Sequence, residues 1–343
     1  MSNLVGKPSP SRLEKLVQGA LGKPSDQVLI GPGPGLDAAI LKTTDGRVMA
    51  IAEDPIFPAP GLPLEIMGWF TVHIGASDVA VTGIKPEFMT YTLLLPPGCP
   101  EEDARTIINS ISDAAKELDI SIVGGHTGWY GAVTVPTVGG VTVWGTADMD
   151  SWVSPGGAKD GDIILMTKGP CIEAAALLSI VHQERLAKKL SPEHLDILRS
   201  RVDEITVVED ALQAFKVGGV HAMHDATEGG VQGGLWEMAT AAGIPVMVDF
   251  DQIALPADIA ALAKELGFDP WQAISEGTLL AAVAPAQVEE VQQVWKNIGI
   301  ESFVLGSFDA GLKENMVRRE KQIQLLTEPD TDPFWELFFA GLN

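Results

Sequence analysis

Short apolar runs of strand type alternate with longer segments of helical spacing along almost the whole chain. One stretch rich in Gly, Pro and Asp, "SWVSPGGAKDGD" from residue 151, interrupts them. Alternation of this kind restricts the fold to layered α/β or α+β arrangements. The break divides 343 residues into two units of ordinary domain size. We therefore expect one domain over residues 1–150 and a second over 151–343.

In the first, "SRLEKLVQGALG" reads as a short helix and "RVMAIAED" as a strand ending in acid. "PLEIMGWFTVHIGASDVAVTG" has helical apolar spacing, and "PEFMTYTLLLP" is a strand bounded by prolines. "PEEDARTIINSISDAAKELDI" reads as a helix, with acids in its first turn and a stripe of Ile107, Ile108, Ile111 and Ala115. "ISIVGGHTGW" reads as a buried strand running into a glycine turn, and "AVTVPTVGGVTVWG" as another strand. The second domain opens with the strand "DIILMTKG". Helices follow over about 171–216, and then further strands and helices to "ESFVLG". The tail "TDPFWELFFAGLN" predicts an aromatic helical turn packed on the body.

Composition excludes several classes. No apolar run reaches 18 residues, so no membrane span is expected, and the first residues lack the pattern of a secretory signal. Two cysteines, Cys99 and Cys171, make no disulfide framework and fit a reducing cytoplasm. A net charge of −23 repels nucleic-acid backbone and anionic lipid, so neither is expected as a partner.

Within that acidity, a few carboxylates sit beside glycine turns. Asp37 follows the loop "GPGPG"; Glu53 and Asp54 end a strand before Pro55. His126 and Thr127 follow Gly124-Gly125, and Asp225, Thr227 and Glu228 precede Gly229-Gly230 and a helix start. Asp78 lies on the helix within "GASDVAVTG". Glycines permit close backbone approach, and N–H groups at turns and helix starts hold phosphate oxygens. Carboxylates repel phosphate directly but hold Mg²⁺, which bridges to it. The pattern points to a polyphosphate bound through metal. Each element alone is also what an ordinary turn or cap looks like. No Walker loop is present, and "GPGPG" lacks the dinucleotide spacing.

Other constellations compete. His221, His224 and Asp225 in "HAMHD" are a zinc-hydrolase alternative, but on a strand the two imidazoles face opposite ways. His73 on an apolar helix reads as core. Cys171, at a helix start in "KGPCIEAA", is a candidate thiolate.

Taken in order, these pieces resemble the superfamily of aminoimidazole ribonucleotide (AIR) synthetase, the PurM-like proteins. The similarity is greatest to the HypE-type hydrogenase-maturation branch and its AIR synthase-related relatives. "GLDAAI", "EDPIF", "VHIGASDVAVTGIKPEF", "VGGHTG", "HDATEGGVQGGLWEMATAAGIPVMVD" and "SEGTLLAAV" are similar to the family's blocks over about residues 25–310.

The resemblance implies an N-terminal ATP-binding domain whose sheet forms a β-barrel with a second copy, hence a homodimer. It also implies a C-terminal α+β domain, with ATP in the cleft between the two. It assigns Mg²⁺ to Asp37, Asp54 and Asp78. Nucleotide contacts fall to Gly35, Thr127, Asp225, Thr227, Gly229 and Gly230. Glu276 and His126 are the candidate catalytic residues, Glu276 as a base or as a cap of the strand that follows it. The loop "GPGPG" becomes a flap over the nucleotide. The implied activity is activation of an amide- or carboxyl-type oxygen by phosphoryl or nucleotidyl transfer from ATP. Three positions depart from the pattern: Ser77 stands for an Asn, His126 for an acid and Gly128 for a Lys. No cysteine lies near the end of the chain, which argues against hydrogenase cyanide synthesis by the HypE route. A nucleotide-binding accessory protein without turnover is the alternative these departures keep open.

Overall fold

A computed structural model describes residues 5–17, 19–329 and 331–342. The chain divides into two compact units. One comprises Gln27–Gly31 and Asp37–Trp152. The other comprises Val153 onward, Pro32–Leu36 and the described residues before Gln27. The first unit ends at Trp152, while the described residues before Gln27 and Pro32–Leu36, expected in the first domain, group with the second unit.

The helix expected over 11–22 is α1 (Pro10–Val17). It is shorter than its apolar pattern, and Gly19 and Gly22, both at positive φ, follow it. By packing, α1 is grouped with the second unit.

The first unit contains β1 (Val28–Ile30), β2 (Ala39–Lys42), β3 (Val48–Ile56), α2 (Leu64–Ala80), β4 (Phe88–Leu95), α3 (Glu101–Glu117), β5 (Ser121–Trp129) and β6 (Thr137–Ala147). The six strands form one open sheet in the order β1-β2-β3-β6-β4-β5. Only β4 and β5 pair in parallel. Along β3, Val48, Ala50 and Ala52 are buried on one face, the period of two that a half-covered strand requires. Helix α3 starts with Glu101, Glu102 and Asp103, which suit the positive end of its dipole. It buries Ala104, Ile107, Ile111, Ala114 and Ala115. Fully burying Ile107 and Ile111 contributes about 1.5–3 kcal/mol each. Helix α2 is covered on most of its surface. It comes close to β6 at Gly75, where an added Cβ would lie 3.1 Å from Val141 and Val143.

Strand β5 differs from its sequence expectation. It does not turn at Gly124-Gly125 but runs through them, pairing Gly124 with Thr90 and Gly125 with Tyr91. Gly125 is required there: at φ +144 a Cβ would fall 2.2 Å from the Tyr91 carbonyl oxygen. Nor is β5 buried, because it is the last strand of the sheet and eight of its nine residues are exposed. An apolar run such as Ile122-Val123 looks the same in a buried strand and in an edge strand.

The second unit continues with β7 (Ile163–Thr167), α4 (Ile172–Val181), α5 (Gln183–Leu186), α6 (Pro192–Ser200), α7 (Val208–Val217), β8 (Val220–Asp225), α8 (Gly230–Ala242), β9 (Val246–Asp249), α9 (Ala257–Leu266), β10 (Leu279–Val283), α10 (Val288–Asn297), β11 (Ser302–Phe308), β12 (Met316–Arg319), β13 (Gln322–Leu325) and α11 (Pro333–Gly341). Its seven-stranded sheet has the order β13-β12-β9-β11-β7-β10-β8, antiparallel except between β9 and β12. Val231, Leu235 and Met238 of α8 share a core with Ile164, Met166, Leu280 and Val248 of the sheet. The aromatic tail is the helix α11, packed on α4, as its composition predicts. No helix among the described residues is long and apolar enough to cross a membrane.

Candidate functional site

In the first unit, the predicted metal acids lie on or beside β2, β3 and α2. β2 and β3 pair Ala39 with Ile51 and Lys42 with Val48. Asp37 lies two residues before β2, and Glu53 and Asp54 lie near the end of β3, facing opposite ways. Asp37 and Asp54 are both half-buried, and Glu53 is exposed. The ladder between β3 and β6 is irregular between Asp54 and Ile56, where Pro55 supplies no N–H. Asp78 is half-buried on the stripe of α2 that also carries Ile66 and Ile74, the part of that helix left incompletely covered. Its neighbour Ser77 is fully buried, and its hydroxyl donates to the His73 carbonyl one turn back at 2.9 Å. His73 stacks on Trp69 at 3.9 Å, and burial lowers its pKa to about 4, so it is a neutral core residue as expected.

His126 and Thr127 are both exposed on β5. Successive strand residues face opposite ways, so His126, Gly128 and then Tyr130 share one side, with Thr127 and Trp129 on the other. The two predicted side chains therefore do not share one face. The Tyr130 hydroxyl lies 2.6 Å from His126 Nε2.

In the second unit, the predicted residues around Gly229 form one tight turn. Asp225 ends β8 and is 1% exposed. The Thr227 carbonyl accepts N–H groups from Gly230 (3.0 Å) and Ser275 (3.3 Å). Gly230, at φ +60, lies so close to the carbonyl oxygens of Ala273 and Trp271 that a Cβ would fall 2.6 and 2.8 Å from them. Gly229 is the N-cap of α8, and its N–H donates to Asp332 Oδ2 at 2.8 Å. The helix start thus already holds an anion, supplied by the chain itself.

Gly35, at φ +68, has no room for a side chain, since a Cβ would lie 2.6 Å from Glu237 Cβ on α8. The part of the "GPGPG" loop expected to act as a flap is seated on that helix.

Two alternatives fall on this geometry. His221 Nδ1 lies 2.9 Å from Asp162, whereas His224 Nε2 lies 3.0 Å from Glu237. The two imidazoles point to different carboxylates, Asp162 just before β7 and Glu237 on α8, as the strand period dictates, so they do not form a joint zinc site. Burial pushes the Glu237 carboxyl up, but the hydrogen bond and charge of His224 outweigh it and the net is below the ordinary value. Cys171 is fully buried, and burial pushes its thiol well up, the reverse of the thiolate its helix-start position predicts.

Glu276 is 3% exposed, and its backbone N–H donates to the Glu173 carboxyl. Sequence reasoning missed this second acid. Burial, and then the charges of Glu228 and Asp332, push Glu173 up to about 8. Burial likewise pushes Asp332 up to about 6, although the N–H groups of Gly229 and Phe334 act the other way. Glu228 accepts the backbone N–H of Lys7 at 2.6 Å. The faint sequence signals were an acid in the first turn of α4 and an Asp-Pro pair opening the tail helix. Neither reveals that the acids meet.

Two sheet-and-helix units of this construction make the chain a two-domain mixed α+β protein of the PurM-like kind. Residues 35–147 match the family of AIR synthase related protein, N-terminal domain, and residues 159–318 match that of its C-terminal domain. The chain belongs to the AIR synthase related family. It is 29% identical over 262 residues to carbamoyl dehydratase HypE of Cupriavidus necator, covering 74% of this chain and 71% of that one. Among solved structures, hydrogenase maturation protein HypE in complex with ATP superposes with a TM-score of 0.69 at 19% identity, covering 96% of this chain and 94% of that one. AaThiL complexed with AMPPCP and TMP gives 0.71 at 15% identity, covering 94% and 96%.

Proposed function

We propose that this protein is an ATP- and Mg²⁺-dependent enzyme that activates an amide- or carboxyl-type oxygen by phosphoryl or nucleotidyl transfer. The observation that supports the reading is that Asp37, Asp54 and Asp78 are all half-buried carboxylates of the first unit, Asp37 just before β2, Asp54 near the end of β3 and Asp78 on α2. Asp37, Asp54 and Asp78 offer a set of oxygens only, the donor type Mg²⁺ prefers, so the residues fit the ion. The bound ion would neutralise charge on the phosphates. The relatives support the choice of nucleotide: HypE has been solved with ATP and AaThiL with AMPPCP.

Gly35, Thr127, Asp225, Thr227, Gly229 and Gly230 are assigned to nucleotide contacts in this reading. His126 is assigned to the group being transferred, on the opposite face of β5 from Thr127. Glu276 is kept as the candidate base, with Glu173 beside it as a neutral acid at pH 7. A protonated carboxyl donates a hydrogen bond that an ionised one cannot, which suits a site receiving an oxygen-rich substrate.

The reading includes a homodimer. β5 leaves one long edge of the sheet open and exposes Ile122, Val123 and Trp129. An unprotected apolar edge is what a second copy would cover.

Release of ADP or AMP by the purified chain, measured with and without Mg²⁺ over a panel of small amides and carboxylates, tests the activity. Nucleotide binding with no release of either product for any substrate would leave the accessory reading in its place. Ser77, which stands where the family pattern has an Asn and whose hydroxyl donates to the His73 carbonyl, favours that second reading.

A further inference from the structure

His126 and Gly128 are two of the positions where this chain departs from the pattern of its family. The structure joins them through a third residue, Tyr130. Residues 126 and 130 lie on the same side of the strand, about 13 Å apart along it. For their side chains to meet, both must lie along the strand over residue 128. They do meet: the Tyr130 hydroxyl is 2.6 Å from His126 Nε2, with ring centroids 5.8 Å apart and planes at 28°. Residue 128 is a glycine, and a Cβ there would fall 2.7 Å from Tyr130 Cε2 and 2.8 Å from its hydroxyl oxygen. The base of Tyr130 is fixed by its N–H, which donates to the Leu95 carbonyl at 2.7 Å. The run His-Thr-Gly-Trp-Tyr is therefore one unit: an imidazole, a gap and a phenol that fills the gap.

We propose that Tyr130 is a positioning residue that fixes the tautomer of His126, so that His126 presents Nδ1–H as a hydrogen-bond donor to a phosphoryl oxygen. In this arrangement the phenol O–H is the donor and Nε2 the acceptor, which requires the tautomer protonated at Nδ1. Which ring nitrogen carries the proton is set by the bond the other one makes. A carboxylate at this position could reach phosphate only through a metal. An imidazole whose Nδ1 carries the proton would meet the oxygen directly. Departure from the acid thus changes how the position acts and does not delete its action. The role toward phosphate rests on the functional reading above; the tautomer does not.

Two readouts on the full-length protein test this. The ¹⁵N shifts of the His126 ring at neutral pH are expected to show a protonated Nδ1 and an accepting Nε2. In Tyr130→Phe, which keeps the ring and loses the hydroxyl, the Nε2–H form is expected to become the major one. Gly128→Ala, which crowds the phenol, is expected to shift the ring in the same direction. Loss of one such hydrogen bond is expected to lower kcat about three- to tenfold with KM for ATP unchanged. An Nε2–H tautomer in the unaltered protein, or ring shifts indifferent to both substitutions, overturns the pairing. Altered shifts with unaltered kcat, in a protein that does turn ATP over, overturn the role toward phosphate. A protein that turns over no ATP, yet shows the shift change, retains the pairing and refutes the functional reading, so the two failures are distinguishable.

Discussion

The carboxylate of Asp332 accepts the backbone N–H of Gly229 at 2.8 Å, and its other oxygen accepts the N–H of Phe334 at 2.8 Å. One side chain near the end of the chain thus caps its own helix, α11, and closes the turn that opens α8. Replacing it leaves two buried donors without their acceptor. Asp332→Ala is expected to destabilise the protein by about 2–3 kcal/mol, and Asp332→Asn, which keeps one acceptor oxygen, by about half that. Urea denaturation read by circular dichroism compares the three. Equal stability of all three would mean the capping bonds contribute nothing.

The Glu173 carboxyl gives a dependence on pH. Its folded pKa, about 8, lies above its ordinary value of 4.5, so between those limits the folded state binds the extra proton. The contribution of this group to stability is therefore fully present below about pH 4.5 and is lost as pH rises through about 8. Glu173→Gln removes the titration. Relative to the unaltered protein, the variant is expected to gain stability between pH 5 and pH 8. Parallel stability curves for the two proteins over that window would contradict the protonated acid.

Gly35 is held against α8 by a contact that only glycine allows. Gly35→Ala adds a Cβ where Glu237 already stands, at a positive φ that an L side chain resists. A cost of about 1–2 kcal/mol in unfolding is expected. Glu237 also bonds His224, so the His224 ring resonances should shift in the variant. Unchanged His224 resonances would show that the loop moves away without pressing on the helix.

Asp54 and Asp78 are half-buried, so their amide variants should fold normally, within about 0.5 kcal/mol of the parent. If they hold Mg²⁺, Asp54→Asn and Asp78→Asn each weaken ATP binding in the presence of Mg²⁺ by on the order of tenfold or more. Without Mg²⁺ the variants and the parent should bind alike. Calorimetric titration under both conditions separates a metal role from a direct one.

The edge strand predicts an assembly. Val123→Lys places a charge on an exposed position of β5, where Val123 is 55% exposed in the single chain. If a second copy covers that edge, light scattering should show the parent at twice the chain mass and the variant shifted toward one chain. A parent that runs as a single chain at micromolar concentration would remove the dimer from the proposal.

Legibility in the sequence followed physical range. Helix α3 was readable because its acids, its stripe of Ile107 and Ile111 and its basic end lie within a few turns of one another. The opposed directions of His221 and His224 were readable because a strand has period two. The meeting of Asp332 with Gly229 across 103 residues was not, and neither was Glu173 beside Glu276. No local pattern in either segment names the other.

By itself the sequence determined the alternation of strands and helices, the family, and the placing of acids beside glycine turns. These are set by spacing along the chain, by backbone freedom at glycine and proline, and by side-chain period. Only the tertiary structure decided that β5 is an open edge, that Gly35 must be glycine because Glu237 stands against it, and that Glu173 and Asp332, far apart in the chain, both lie where burial raises their proton affinity. Those depend on which distant segments exclude water from one another, and burial of that kind is a property of the packed chain.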